Sequence, residues 1–250
     1  MSESAAVLEG AISVEAALRA RSREIRALYI RRDLREPNVL KLAKLAASAG
    51  ITAERVSEDV IAAHVEGKTH GGIVALVGER RFVGLDALIA DRERPFVVML
   101  DGVEDPFNFG QAVRAFYAAG ADGLVVRPRN WMSAAGVVAR SSAGASELIP
   151  TAVAESAQDA ADFYRARGLT VAVTDKDRAV SIYDADLTIP LFLVVGGEKR
   201  GVTRSFADSA DVRMKIPYGR DFRQSLGTTP AAAVLAFEIM RQRAGVESGK

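Results

Sequence analysis

Asn108, Gly110 and Arg114 lie close together in DPFNFGQAVRAFYAAGADGLVV (105–126). An amide that both donates and accepts, a glycine that lets a backbone approach closely and a guanidinium fork suited to phosphate or developing oxyanion charge make a set able to do chemistry. The run before them, FVVML (96–100), reads as a buried strand. The run after them carries Ala112, Val113, Phe116 and Ala119 at helical spacing. The polar residues therefore fall at the carboxyl end of a strand and the first turns of a helix, where open parallel sheets bind ligands. Two later segments repeat this placement. VVGGEKRGV (194–202) sets Gly196, Gly197 and Gly201 around Glu198, and IPYGRDFRQSLGTTPAAAVLAFE (216–238) is a loop closing into a helix near Thr228 or Thr229, with Pro230 in its first turn. None of the three satisfies GxGxxG or a P-loop, so a dinucleotide or nucleoside-triphosphate site is not supported.

Composition narrows the chemistry further. The chain has 250 residues, 49% hydrophobic and 26% charged, which is ordinary for a globular protein. Zero cysteines exclude disulfides, thiolate metal sites and a cysteine nucleophile, and two histidines are too few for a histidine-based zinc site. No long apolar run appears, and the start MSESAAVLEG lacks the basic and apolar regions of a signal peptide, so a cytoplasmic protein without membrane association is expected. The net charge of +1 hides a local patch: Arg19, Arg21, Arg23, Arg26, Arg31, Arg32 and Arg35 are opposed only by Glu24 and Asp33. Either these are salt-bridged surface arginines, or they contact phosphate. The uniform choice of Arg over Lys suits phosphate oxygens.

The elements that must position these residues follow from periodicity. SVEAALRA, IRALYIRR, NVLKLAKLAASAG and GGIVALV read as helix, strand, helix ended by Gly50, and strand, a small α/β unit over residues 1–80. A charged linker, 81–94, precedes a second unit, 95–250, with strands expected at 96–100, 123–127, 170–174, 191–195 and 211–215. Helical patterns separate these strands, which argues an α/β fold with a mostly parallel sheet covered on both faces.

The three motifs in order, N-F-G-Q-A-V-R, G-G-E-K-R-G and the loop with Ile216, Pro217, Ser225 and Leu226, resemble those of the SpoU (TrmH-type) RNA ribose 2′-O-methyltransferases of the SPOUT superfamily. SSAGASELIP (141–150) is similar to that family's small-residue segment, and the unit ending in KTHGGIVALV looks like the ribosomal-protein-like RNA-binding domain many members carry. The resemblance implies a deep trefoil knot, S-adenosylmethionine held bent by the knot loops, and a homodimer with its active site near the interface. It places cofactor contacts, largely of the backbone, at Gly196, Ile216 and Leu226, with Gly197 and Gly201 in the same loops, glycine at 196 permitting close approach. It makes Arg114 the catalytic arginine. Asn108 fixes its loop, touches substrate or caps the helix; Glu198 orients Asn108 or Arg114, or faces solvent; Ser225 bonds substrate or braces its loop. Ribosomal RNA is the expected substrate, with a transfer RNA enzyme or a catalytically silent RNA-binding or ribosome-assembly factor as alternatives. Gly227 stands where the family usually has asparagine, and Phe107 where it often has histidine. His64, His70 and Trp131 read first as structural, with RNA contact the second use of each.

Overall fold

The computed structural model describes residues 6–65, 67, 69–128, 133–176, 178–197 and 201–247. In chain order the elements are β1 (Ala6–Glu9), α1 (Gly10–Ala20), β2 (Arg23–Arg31), α2 (Pro37–Ser48), β3 (Ala53–Val56), α3 (Glu58–Ala62), β4 (Ile73–Arg80), β5 (Phe96–Asp101), α4 (Pro106–Ala118), β6 (Gly123–Val126), α5 (Ala135–Ser141), α6 (Ala145–Leu148), β7 (Thr151–Val153), α7 (Ala157–Arg165), β8 (Thr170–Thr174), β9 (Val180–Ser181), β10 (Leu191–Gly196), α8 (Arg204–Ser209), β11 (Val212–Lys215) and α9 (Thr228–Glu247). They form two compact units.

The first unit comprises the described residues up to Arg81 together with those of 133–148. Its sheet has the order β1-β4-β2-β3, antiparallel at β1/β4 and β4/β2 and parallel at β2/β3. Leu8, Val14, Leu28, Ile30, Leu42 and Val77 form its core, and Ala135 and Ala139 of α5 pack into the same cluster. Gly136 of α5 and Gly144 of the small-residue segment serve this packing: a Cβ at Gly136 would lie 2.6 Å from the Val7 carbonyl oxygen, and one at Gly144 2.7 Å from the Ala16 methyl. Glu147 of α6, 2% exposed, accepts hydrogen bonds from Ser22 Oγ at 2.5 Å and Arg23 Nε at 3.1 Å, and lies 3.3 Å from the Arg80 guanidinium. Burial pulls the Arg80 pKa below its ordinary value, with Glu147 opposing the shift. A buried carboxylate between two guanidiniums joins three distant stretches of chain, and breaking such a cluster from one side typically costs ~3–5 kcal/mol.

The second unit holds a seven-stranded sheet of order β7-β6-β5-β10-β8-β11-β9. Every strand pair in it is parallel. All six residues of β5 and the first five of β10 are buried, as a central strand covered on both faces requires. Part of the charged connector belongs here: Val83 bridges Ala152, and Leu88 is buried so close to the sheet that a Cβ at Gly123 would meet it at 2.8 Å. Helix α4 starts with Pro106 and buries Phe109, Ala112, Val113 and Phe116; the Phe116 ring meets Phe96 edge-on, centroids 6.1 Å apart. It packs against α9. Near its far end α9 is pinned by Arg243, which donates to the carbonyls of Arg94 and Ile189, both at 2.7 Å, and of Leu187 at 3.1 Å.

Two short strands of this unit, β7 and β9, and three elements of the first, β1, β3 and α3, lack a periodicity long enough to reveal them. The five expected strands and the helix opening at Thr228 are present.

Candidate functional site

A cavity of about 920 Å³ opens at the carboxyl ends of β8, β10 and β11. That volume is typical of a pocket for a cofactor-sized molecule. Its walls bring together Gly196 at the end of β10 and Gly197 and Gly201 from the loop after it with Ile216, Ser225 and Leu226 from the loop after β11. All six are residues that the sequence motifs single out. Glu198 lies outside the described residues.

Backbone geometry explains the glycines. Gly197 donates to the Asp101 carbonyl at 2.8 Å and accepts from Gly201 at 2.9 Å, so the loop closes on itself while resting on the end of β5. A Cβ at Gly196 would sit 2.6 Å from the Gly201 carbonyl carbon and the Val202 nitrogen. At Gly197 it would sit 2.0 Å from the Gly102 carbonyl oxygen. The close approach that glycine permits at 196 is therefore one of the loop to itself; a side chain there displaces the loop before it reaches any ligand.

The final motif behaves differently. Gly227 has φ +81° with open space where a Cβ would stand, and its carbonyl accepts from Ala231 at the start of α9. Asparagine tolerates this left-handed conformation better than other side chains do, so the exchange of the family's asparagine for glycine keeps the backbone and deletes only an amide. Thr228, 3% exposed, lines the cavity at the first turn of α9, and its hydroxyl has no hydrogen-bond partner among the described residues. An orphaned hydroxyl, backbone-rimmed walls and a long helix's amino terminus suit a ligand with polar and anionic groups. S-adenosylmethionine, with its adenosine and carboxylate, fits that description.

Asn108 and Arg114 lie outside the walls of this cavity. The helix cap is Asp105, whose Oδ1 accepts from the Asn108 backbone N–H at 2.7 Å, so Asn108 is not the capping residue. Arg114 is exposed on α4, and its side chain has no hydrogen bond or ion pair among the described residues. Sequence reasoning missed Asp101 and Arg127. Asp101, buried at the end of β5, is gripped by Arg127 at 2.7 Å (Nε to Oδ1) and 3.1 Å (terminal nitrogen to Oδ2). An acidic residue closing a central strand was the available signal. It also missed Asp175 and Lys176, which line the cavity beyond β8.

The arginine patch separates into different environments. Arg23 is 6% exposed and committed to Glu147, so it leaves the set of side chains that RNA can reach. Arg19 pairs with Glu15 at 2.6 Å, Arg26 with Glu24 at 3.5 Å, and Arg31 with Asp33 at 2.6 Å and Glu58 at 2.8 Å. Arg35 donates to the carbonyls of Arg32 and Leu34. Arg21 and Arg32 are exposed, and neither guanidinium has a partner among the described residues. His70 is buried and accepts the Gly72 N–H through Nδ1 at 2.9 Å, a structural use. His64 stacks on Tyr29, centroids 5.3 Å apart. Trp131 is outside the described residues.

Comparison with known proteins finds two family models along the chain. Residues 95–237 match the model of the SpoU rRNA Methylase family, and residues 7–83 match that for RNA 2′-O ribose methyltransferase substrate binding. The chain is 31% identical over 238 residues to the 23S rRNA (guanosine-2′-O-)-methyltransferase RlmB of Pseudomonas syringae pv. tomato, covering 94% of each protein. It is 31% identical to the putative TrmH family tRNA/rRNA methyltransferase YacO of Bacillus subtilis, covering 88% of this chain and 90% of that protein. Among solved structures, the AdoMet-bound rRNA methyltransferase from Sinorhizobium meliloti superposes with a TM-score of 0.77 at 28% identity, covering 95% of this chain and 87% of the other. With motifs, parallel sheet and both family models in agreement, the chain belongs to the SpoU rRNA methylase family.

Proposed function

We infer that this protein is an S-adenosylmethionine-dependent RNA methyltransferase that methylates a ribose 2′-hydroxyl of ribosomal RNA. The observation that carries this function is the convergence of two motif segments, 196–201 and 216–226, with the end of β8 on one cavity at the sheet's carboxyl edge. The relatives' named substrate, a guanosine of 23S rRNA, makes that RNA the first to test. Residues 1–80 act as the RNA-binding domain, 81–94 as the linker and 95–250 as the catalytic domain, a division the two family matches support.

When bound, S-adenosylmethionine supplies an electrophilic methyl group on a sulfonium. The backbone at Gly196, Ile216 and Leu226 holds the cofactor, with Gly197 and Gly201 shaping the loop. Arg114 grips the phosphate beside the target ribose and stabilises the alkoxide charge as the hydroxyl loses its proton to solvent water. A guanidinium is a poor base and a constant cation. Asn108 and Ser225 orient the ribose, and Glu198 orients Asn108 or Arg114. Holding the acceptor oxygen in line with the methyl supplies much of the rate. In the first unit Arg21 and Arg32 hold the RNA, with the ion-paired Arg19, Arg26 and Arg31 and the carbonyl-bonded Arg35 exchanging their local partners for phosphate.

A homodimer belongs to the same proposal. Arg114 and Asn108 stand outside their own chain's cavity, and the packed helices α4 and α9 leave Phe107, Tyr117, Phe237 and Met240 exposed. Isologous pairing through such helices covers this apolar surface and brings Arg114 to a partner's cavity. The deep trefoil knot belongs to the proposal through the family resemblance, and the strand order, with β10 between β5 and β8, is compatible with it. Mapping ribose methylation in ribosomal RNA from cells with and without the gene tests the function. Loss of one 2′-O-methyl mark is expected on deletion; an unchanged map would leave a silent RNA-binding factor.

A further inference from the structure

The loop between β11 and α9 carries more than the backbone expected to hold the cofactor. Tyr218 and Phe222 project from it onto the cavity lining, 38% and 54% exposed, with ring centroids 6.0 Å apart and planes at 48°. A single exposed aromatic ring needs no explanation, but two neighbouring rings left in water at a pocket mouth mark a surface built for contact. Arg220 and Arg223 flank them, and neither guanidinium has a partner among the described residues. Lys176 reaches across from the end of β8 to donate to the Arg223 carbonyl at 3.3 Å, which ties the loop to the sheet without using either guanidinium. Lys176, Lys215, Arg220 and Arg223 line the cavity against two carboxylates, Asp175 and Asp221.

Exposed π faces interleaved with unpaired cations are the chemistry that binds unstacked nucleotides: rings stack on the base, and guanidiniums take the phosphates on either side. We propose that Tyr218 and Phe222 form a stacking platform for an unpaired nucleobase of the RNA substrate, with Arg220 and Arg223 holding its flanking phosphates. This rests on the methyltransferase function assigned above. A ribose hydroxyl must be brought into the cavity mouth to meet the methyl group, and a nucleotide of a loop or single strand, whose base can leave its stack, reaches it. An aromatic platform at the mouth replaces the lost stacking. The platform selects RNA whose target lies in a loop or single strand over RNA in a continuous helix.

The test uses the full-length protein, in vitro transcribed 23S rRNA without modifications, and S-adenosylmethionine labelled on its methyl group. Phe222→Ala should lower methyl transfer per unit of RNA about tenfold or more, through a higher KM for RNA, as expected for loss of one stacked base. Phe222→Leu should be equally impaired and Phe222→Trp should recover most of the loss, because only an aromatic face stacks. Calorimetric affinity for S-adenosylhomocysteine should stay within about twofold of the parent in all three, which also shows that they fold. Arg220→Ala with Arg223→Ala should flatten the salt dependence of RNA binding. Equal transfer by Phe222→Leu and the parent would overturn the platform. So would a cofactor affinity that falls in step with transfer, assigning the rings to the cofactor's adenine, or a change of oligomeric state with unchanged RNA kinetics, assigning them to a second copy of the chain. A parent that transfers no methyl group to any RNA refutes the underlying function instead, an outcome distinct from all of these.

Discussion

Arg114→Ala is expected to reduce methyl transfer to RNA by ~10²-fold or more while cofactor affinity stays close to the parent's, the signature of an interaction made mainly in the transition state. The structure supports that separation. Arg114 is exposed, has no side-chain partner among the described residues and lies outside the cavity proposed to receive the cofactor, so its removal disturbs neither the pocket nor the core. Arg114→Lys distinguishes two roles. Lysine keeps the charge and loses the planar fork, so a large residual loss means bidentate gripping of phosphate, and near-parent activity means charge alone. Single-turnover transfer together with calorimetric cofactor titration checks both variants. A parallel fall in cofactor affinity and rate would move Arg114 into the pocket and contradict its placement.

Gly197→Ala is expected to abolish detectable cofactor binding and to lower stability by about 1–3 kcal/mol, the usual cost of forcing a methyl into occupied space. The added carbon would meet the Gly102 carbonyl oxygen at 2.0 Å and the Val103 nitrogen at 2.9 Å. Both are backbone atoms at the end of β5, so the loop must move rather than a side chain yield. Gly219→Ala is the control: Gly219 is in the neighbouring loop, a Cβ there meets nothing within 4 Å, and this variant should bind cofactor as the parent does. Thermal melting and calorimetry of the two variants decide the matter. Parent-like binding by Gly197→Ala would mean that the loop is soft enough to absorb a methyl group, and that the pocket is not shaped by this contact.

The cavity was readable in the sequence because its parts are local signals. Each of its glycines and Ile216, Ser225 and Leu226 follows a short β-branched strand, and the strand-end position of such residues survives any error in element boundaries. Partners distant along the chain were not readable. Glu147 sits in a segment of small residues, and nothing near it announces that Arg23 and Arg80 meet there. That meeting removes Arg23 from an otherwise convincing basic run, and Glu15, Glu24, Asp33 and Glu58 then occupy several of its neighbours. A run of arginines records charge along the chain; exposure and pairing are decided by the fold. Gly196 shows the same limit at shorter range, since a glycine demanded by its own loop and one demanded by a ligand look alike in sequence. Tyr218 and Phe222 were hidden because an aromatic residue in a loop is compatible with burial or exposure, and only their exposure beside Arg220 and Arg223 gives them a use.

Transfer of a labelled methyl group from S-adenosylmethionine to RNA, followed by nuclease digestion and identification of the labelled nucleoside, tests the assigned chemistry most directly. The purified full-length protein and unmodified 23S rRNA should yield a single 2′-O-methylated nucleoside, and RNA carrying a deoxyribose at that position should accept no label. Label on the deoxyribose substrate, or on a base, would contradict a ribose hydroxyl as the acceptor.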